Sequence, residues 1–379
     1  THNTMATAGA AATIAVKLAM EEYGIEGTVR YYGSPAEETL ISRPYFVDAG
    51  LFDDVDVVID HHGGDGFGTS YGTGSTAMYS FLVTFTGKTG HSASPWTGRS
   101  ALKAVELMNM GTNLLKEHLY YSHRMHYAVI DGGEAPNVMP DRATVWYFVR
   151  ESDDRLDDML DKVLDCAKGA AIATGTEHEV QILTGIHQRY ANKALAELLY
   201  ENIERVGMPK WTEEEHKFAK DVQKTMGFEQ TGLKTEINPL RGPSAVFTGG
   251  GSSDMGTVSL YRPTATVNFP SKGPSDGHHW STVAYTGTSI AHKGLIAGAK
   301  SMAATAIDLL TKPEEVEKIW DEFKELQKEM PFFSRLPKGA KPPVGFYREQ
   351  MDKYRPQMEK FYKHPSWYPG PWSLKSEKK

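Results

Sequence analysis

Apolar and polar positions change their period several times along the chain, and the changes mark out its elements. From Met5 to Tyr23 the sequence is rich in alanine, with Ile14 and Leu18 four apart and Gly24 placed as a helix stop. Small residues on nearly every face predict a helix packed against a sheet. Thr28–Tyr32 (TVRYY) predicts a short strand, and Pro35 to Ala49 a helix ending at Gly50, with Pro44 as a break or kink. Val55–Asp60 (VDVVID) is nearly all apolar, as a strand covered on both faces should be. Strands alternating with helices imply an α/β domain built on a mostly parallel sheet.

The pattern then switches to strict alternation. Phe81, Val83 and Phe85 alternate with Leu82, Thr84 and Thr86, which predicts a strand. A helix follows from about Ser100 to Leu119, then strands at Met125–Ile130 and Ala143–Val149. Arg155–Ala171 is an amphipathic helix with Leu156, Leu160, Val163 and Ala167 on one face, and Val180–Leu183 closes the set. The order β-α-β-β-α-β is the ferredoxin-like plan, here inserted into the first domain. The predicted division is 1–77 and 187–311 for the α/β domain, 78–186 for the insert and 312–379 for a C-terminal tail. In the second part of the α/β domain, Thr212–Glu215 (TEEE) reads as a capping box, Ala265–Phe269 as the last strand and Ser281–Leu310 as one long helix. The sequence from Pro331 is rich in Pro, Lys, Tyr and Trp, which suits a segment wrapping a surface or a partner subunit.

Composition narrows the function classes. The chain has 379 residues, 40% of them hydrophobic, and a net charge of −7, enough for two domains and no electrostatic footprint for nucleic acid or an anionic membrane. One cysteine, Cys166, excludes an internal disulfide. No apolar run reaches transmembrane length, and the first residues lack the basic and apolar regions of a signal peptide, so a cytoplasmic protein is expected.

In a parallel α/β sheet, ligands gather at the carboxyl ends of the strands, and the candidate chemistry falls there. Glu37 and Glu38 follow Thr28–Tyr32, His61 and His62 follow Val55–Asp60, and His278 and His279 follow Ala265–Phe269; His2 precedes the first helix. Carboxylates and imidazoles from separate strand ends form a metal-ligand set. Each cluster alone has a plainer reading. GSPAEE is a helix start, with Ser34 as N-cap, Pro35 at N1 and Glu37 closing a capping box. The paired histidines would be solvated loop residues, and His2 a loose terminus. Convergence of four clusters favours a site, and the capping box accounts for one glutamate only. In the insert, His91 lies in a tight loop, GHSASPWTGRSA, as an incidental imidazole or a functional one. Asn137 lies in APNVMPD, and Arg150 ends the strand ATVWYFVR as an ordinary charge or a carboxylate clamp.

Taken together, these residues resemble the co-catalytic metallopeptidases that include aminoacylases, glutamate carboxypeptidases and auxin-conjugate amidohydrolases. The likeness runs from His2 to about Leu310 through GSPAEE, DVDVVIDHH, GHSASPWTGRSALKAVELMN, APNVMPDRATVWYFVR, GSSDMG, GHHW and SIAHKG. It implies a catalytic α/β domain binding two divalent metal ions, zinc or manganese. It also implies an inserted lid domain that forms the interface of a homodimer, alone or within a higher oligomer. By that resemblance His2, Glu38, His62 (rather than His61) and His278 are metal ligands and Glu37 is the general base. His91 reaches a neighbouring subunit's active site, where it stabilises the oxyanion. Asn137 and Arg150 contact the substrate, Arg150 through its free carboxylate, and Ser253 and Asp254 belong to a short motif near the site, grouped with the substrate-binding residues. The implied reaction is hydrolysis of the amide bond in an N-acyl or N-aroyl amino acid. The alternatives are a dipeptidase or aminoacylase of the same family, or a member that binds ligand or scaffolds without catalysis. The chain departs from the pattern at Thr1, where glycine is usual, and at Gly63, where proline often follows the ligand histidine. The family's metal-bridging cysteine is expected just before Thr1, and with the upstream strands also missing the sequence reads as an N-terminally incomplete version of a longer protein.

Overall fold

The structure, a computed structural model, describes residues 1–361 apart from Ala245. It falls into two compact units, Thr1–Ala340 and one beginning at Lys341.

The chain opens with α1 (His2–Tyr23), which ends where predicted, at Gly24 in the left-handed conformation with φ 64°. A 3-10 turn, Glu37–Thr39, leads to the short α2 (Ser42–Asp48) and then to β1 (Val58–Gly64). Two expectations fail here. Thr28–Tyr32 joins no strand ladder among the described residues: side chains tether it instead, Tyr31 Oη donating to the Ala6 carbonyl and Tyr32 Oη to that of Leu51. A cavity of about 550 Å³ lies between this segment, β1, α1 and the long helix near the C-terminal end of the unit. The helix predicted from Pro35 starts only at Ser42, and no capping box forms at Ser34; Pro44 falls in the first turn of α2, where its missing N–H costs nothing.

After β2 (Gly72–Gly74) comes the segment read from the sequence as the insert. It comprises β3 (Ala77–Thr86), β4 (Gly90–His91), α3 (Ala101–Leu115), β5 (Arg124–Asp131), β6 (Val138–Met139), β7 (Arg142–Glu151), α4 (Leu156–Thr174) and β8 (Glu177–Ile186). The four long strands form an antiparallel sheet in the order β5-β7-β3-β8. Period-two alternation decides its faces. Phe81, Val83, Phe85, Val145, Tyr147 and Val149 point to one side and are buried against Ala104, Val105 and Met108 of α3 and Leu156, Met159 and Val163 of α4. Each such side chain withdrawn from water contributes roughly 1.5–3 kcal/mol before entropy is subtracted. Among the described residues no strand pairs with the outer edge of β5, where Tyr127, Val129 and Ile130 are exposed.

The chain returns through β9 (Arg189–Ala191), α5 (Lys193–Val206), α6 (Glu213–Thr225), α7 (Met255–Tyr261) and β10 (Thr264–Pro270). Thr212 and Glu215 form the predicted capping box at the start of α6. β10 runs parallel to β1, pairing Val58 with Thr264 through Gly64 with Pro270, and this is the only parallel pair of strands among the described residues. The helix expected over Ser281–Leu310 is divided into α8 (Trp280–Val283) and α9 (Ser289–Thr311), because Tyr285 turns inward and is fully buried with Ala219, Val222, Leu233 and Ile290. α1 and α9 cover β1 and β10. Helix α10 (Pro313–Glu329) follows, and the second unit contains α11 (Arg348–Met358). Of the tail read from Pro331, residues 362–379 lie outside the described residues. No helix among the described residues is long and apolar enough to cross a membrane.

Beyond α10 the chain passes Phe333 and Arg335, and Arg335 is nearly inaccessible. Its guanidinium donates to Asp153 Oδ1 (2.9 Å), to the Asp153 carbonyl (3.0 Å) and to Asp157 Oδ1 (2.6 Å). Asp153 Oδ2 accepts from Tyr190 Oη (2.7 Å), and His187 bridges Asp153 Oδ1 (2.8 Å) and the Phe333 carbonyl (2.8 Å). Residues that precede and follow the insert's last strand thus meet one buried cation.

Candidate metal centre

His2 stands in the first turn of α1, opposite the 3-10 turn that carries Glu37 and Glu38. Its Nε2 lies 3.0 Å from Glu37 Oε2 and its Nδ1 3.4 Å from Glu38 Oε1. Adjacent residues of a 3-10 turn point about 120° apart, so the two carboxylates reach different ring nitrogens. Ala36 and Leu40 bracket the turn, both left-handed with φ 57° and 56°. His2, Glu37 and Glu38 form the one group of three metal-capable side chains among the described residues, with ligand atoms within 4.8 Å of one another. His278, itself left-handed at φ 53° and highly exposed, places Nε2 3.6 Å from Glu38 Oε2.

Each His-His pair divides into an anchored residue and an outward one. His61 Nε2 lies 2.7 Å from the Met5 carbonyl, against α1. Gly9 makes that approach possible: a Cβ there would meet His61 Cε1 at 2.9 Å and Tyr31 at 2.6 Å. Strand alternation sends His62 to the opposite face, where its Nδ1 lies 2.8 Å from the Gly63 carbonyl. Desolvation lowers the His62 pKa, against the opposing pull of Asp60, and the charge of His2 lowers it further. That favours the neutral imidazole, the form that binds metals. In the second pair, His279 Nδ1 accepts from the Ser281 N–H and caps α8, leaving His278 to face Glu38.

His62 is not one of the three grouped side chains, and the remaining expected site residues stand apart from them. In the β4–β6 ribbon His91 pairs with Val138, and just beyond it the Ser92 N–H donates to the carbonyl of Asn137, the residue before β6 (3.0 Å). His91 Nδ1 accepts from the Ala93 N–H (3.0 Å), which puts the proton of a neutral ring on Nε2. Arg150 lies on β7 opposite Met78 and Arg124; its guanidinium packs 5.3 Å from the centre of the Phe148 ring and its Nε is buried without a hydrogen-bond partner. Burial lowers its pKa. Ser253 Oγ accepts from the Met255 N–H (3.3 Å). Asp254, expected beside substrate, is fully buried, and its carboxylate is paired with Arg43. Neither Arg43 nor that pairing had a signal in the sequence, because 211 residues separate the partners.

Comparison with known proteins places the chain in a family. Residues 73–174 match the peptidase dimerisation domain of the M20 group. Over 370 aligned residues the chain is 34% identical to one of the two kinds of subunit of p-aminobenzoyl-glutamate hydrolase from Escherichia coli (strain K12), covering 90% of this chain and 76% of that protein. The chain belongs to the M20 peptidase family. This M20 chain is also 30% identical to Xaa-Arg dipeptidase of Homo sapiens over 339 residues, covering 86% of this chain and 70% of that one. Its fold matches the crystal structure of an aminobenzoyl-glutamate utilization protein from Klebsiella pneumoniae with a TM-score of 0.54 at 18% identity, covering 78% of this chain and 66% of that one. As an M20 member it is a hydrolase of amide bonds.

Proposed function

We propose that this M20 hydrolase cleaves the amide bond of an N-acyl or N-aroyl amino acid, aminobenzoyl-glutamate-like in its free carboxylate, at a centre of two divalent metal ions. The observation that carries the reading is the environment of His2. A neutral imidazole has one donor and one acceptor, so it satisfies one facing carboxylate; two carboxylates on its two nitrogens call for a second proton or a metal cation between them. The donor set of imidazole nitrogens and carboxylate oxygens fits Zn²⁺ or Mn²⁺. His2, Glu38, His62 and His278 would hold the ions, with Glu37 left as general base. When bound, such ions supply a water whose pKa is lowered toward neutrality. Glu37 would accept a proton from the attacking water at its carboxylate and return it to the departing amine nitrogen. His91 donates from Nε2 to the oxyanion of a neighbouring subunit's substrate, and Asn137 contacts the substrate.

Arg150 would receive the free carboxylate. Its half-buried cation has no acidic partner among the described residues, and a carboxylate supplies the missing acceptor. Arg150→Ala is expected to raise KM by about 10- to 100-fold, the worth of a charged hydrogen bond, while a carboxamide analogue of the substrate loses nothing. Equal losses for both substrates would remove the clamp assignment.

The subunit contact is read from the insert. The free edge of β5 exposes Val129 and Ile130, and α3 exposes Met110 and Leu114 beside it, joined to the strand by the hydrogen bond from Asn113 Nδ2 to Tyr127 Oη (3.2 Å). An unpaired edge next to an apolar helix face suits pairing with a second copy. The double variant Val129→Lys/Leu114→Glu is expected to sediment as a monomer and to lose turnover with its dimer; a dimer of unchanged stability would exclude this surface.

Metal analysis of the purified chain, followed by hydrolysis of a panel of acyl-amino acids and dipeptides, tests the whole reading. The expected result is bound metal with preference for aroyl or acyl amino acids. Preference for dipeptides would favour the dipeptidase reading that the likeness to Xaa-Arg dipeptidase supports. Neither metal nor turnover would favour a ligand-binding scaffold.

A further inference from the structure

We propose that the buried Arg43–Asp254 pair is a positioning device for the carboxylate turn, fixing where Glu37 and Glu38 stand while touching neither substrate nor reacting atoms. The inference rests on the proposed roles of those two glutamates. It begins from a conformational difficulty. The turn starts and ends in left-handed backbone at alanine and leucine, with φ 57° at Ala36 and 56° at Leu40, a region disfavoured for residues with a Cβ. Its internal hydrogen bonds are few: Thr39 N and Oγ1 and Ile41 N converge on the Ala36 carbonyl, and Leu40 N donates to Glu37 O. Neither the turn nor α2 is capped by the side chain of its own N-cap residue. Something outside the turn has to hold it.

Arg43 does so two residues into α2. Its backbone N–H donates to Asp254 Oδ2 (3.2 Å) and its guanidinium to Asp254 Oδ1. One carboxylate thereby grips both the main chain and the side chain of the same residue. Asp254 is completely buried and Arg43 nearly so, at 0% and 12% side-chain exposure. Asp254 occupies the N-cap position of α7 yet makes no capping bond to its own helix; its carboxylate is turned across to α2. The two helices are locked behind it by Val47, Phe52, Met255 and Val258. The far side of the pair is equally fixed, because α7 leads directly into β10, whose partner β1 carries Asp60 and His62. Just before Asp254, the Thr76 N–H donates to the Gly251 carbonyl (2.8 Å) and Thr76 Oγ1 lies 2.7 Å from Ser252 Oγ. Arg43 also lies within the fields of Asp60 and Glu37, so a single cation stands among three acids at the base of the site. The pair transfers the rigidity of the sheet to a turn that has little of its own.

A purely structural ion pair would give the same burial, so the test uses a replacement that spares stability. Buried ion pairs are often exchangeable for apolar residues of similar volume. The variant is Arg43→Met/Asp254→Leu, with Asp254→Asn as a second that keeps the shape should the first fail to fold. In crystals of the metal-free protein, the Glu37–His2 contact, 3.0 Å in the native arrangement, is expected to be lost. In the metal-loaded enzyme kcat is expected to fall about a hundredfold, the effect of a displacement near 1 Å, with KM within about threefold. Arg43→Lys, which keeps the charge and the backbone bond, is expected to retain most of kcat. A folded variant that keeps the 3.0 Å contact and native kcat would overturn the proposal. Loss of the contact in a protein whose native form has no turnover would instead uphold the positioning role and count against the reading of the glutamates as catalytic.

Discussion

Glu37→Gln is expected to lower kcat by about 10²- to 10⁴-fold while metal content stays unchanged. The amide keeps the size of the carboxylate and one acceptor oxygen, so the turn and the contact with His2 survive, but it accepts no proton from an attacking water. Glu38→Ala should behave in the opposite way and lose metal, since Glu38 alone reaches both His2, at 3.4 Å, and His278, at 3.6 Å. Metal stoichiometry and turnover, measured side by side on both variants, separate base from ligand. Native kcat in Glu37→Gln would end the assignment, and equal metal loss in both variants would make the two glutamates equivalent ligands.

Arg335→Leu is expected to destabilise the protein by about 3–5 kcal/mol, the cost of breaking a buried ion pair from one side. The substitution leaves the buried Asp153 carboxylate with its cation gone and removes two donors from the peptide and side chain around it. Denaturant unfolding read in both the insert and the α/β domain gives the number; a loss under about 1 kcal/mol, the range of an exposed pair, would show that water replaces the guanidinium freely. The pH dependence has a definite sign. Burial tends to raise the Asp153 pKa, but hydrogen bonds from His187 and Tyr190 and the charge of Arg335 outweigh it, and the net shift is downward. A carboxylate with a depressed folded pKa stabilises above its unfolded value, near 3.9, and that contribution is lost as pH falls through the folded value. The gap between native protein and variant should therefore be full at neutral pH and narrow below about pH 4.

Local rules were readable wherever the chain supplied both partners nearby. Gly24 stops α1, and Thr212 with Glu215 caps α6, because the groups involved lie within a turn of one another. The insert's strands were legible for a related reason: alternation reports a face, and Phe81, Val83 and Phe85 share one. GSPAEE misled because the same letters suit a capping box and a strained turn, and the choice was made by Asp254, 211 residues from Arg43. Thr28–Tyr32 has strand composition, yet composition specifies no hydrogen-bonding neighbour. The choice of His62 over His61 came from family likeness, and the anchoring of His61 on the Met5 carbonyl beside Gly9 had no signal in the sequence because the two meet only in three dimensions.

Arg335 also orders events in time. The insert's strands are complete once Ile186 has been made, and its core of alternating residues has all its parts by then. The cation that fastens Asp153, Asp157 and, through them, His187 and Tyr190 is delivered only when synthesis has passed the whole remaining α/β domain and α10. A nascent chain would thus have all the insert's strands in hand while Asp153 still lacks its cation, until that last segment arrives.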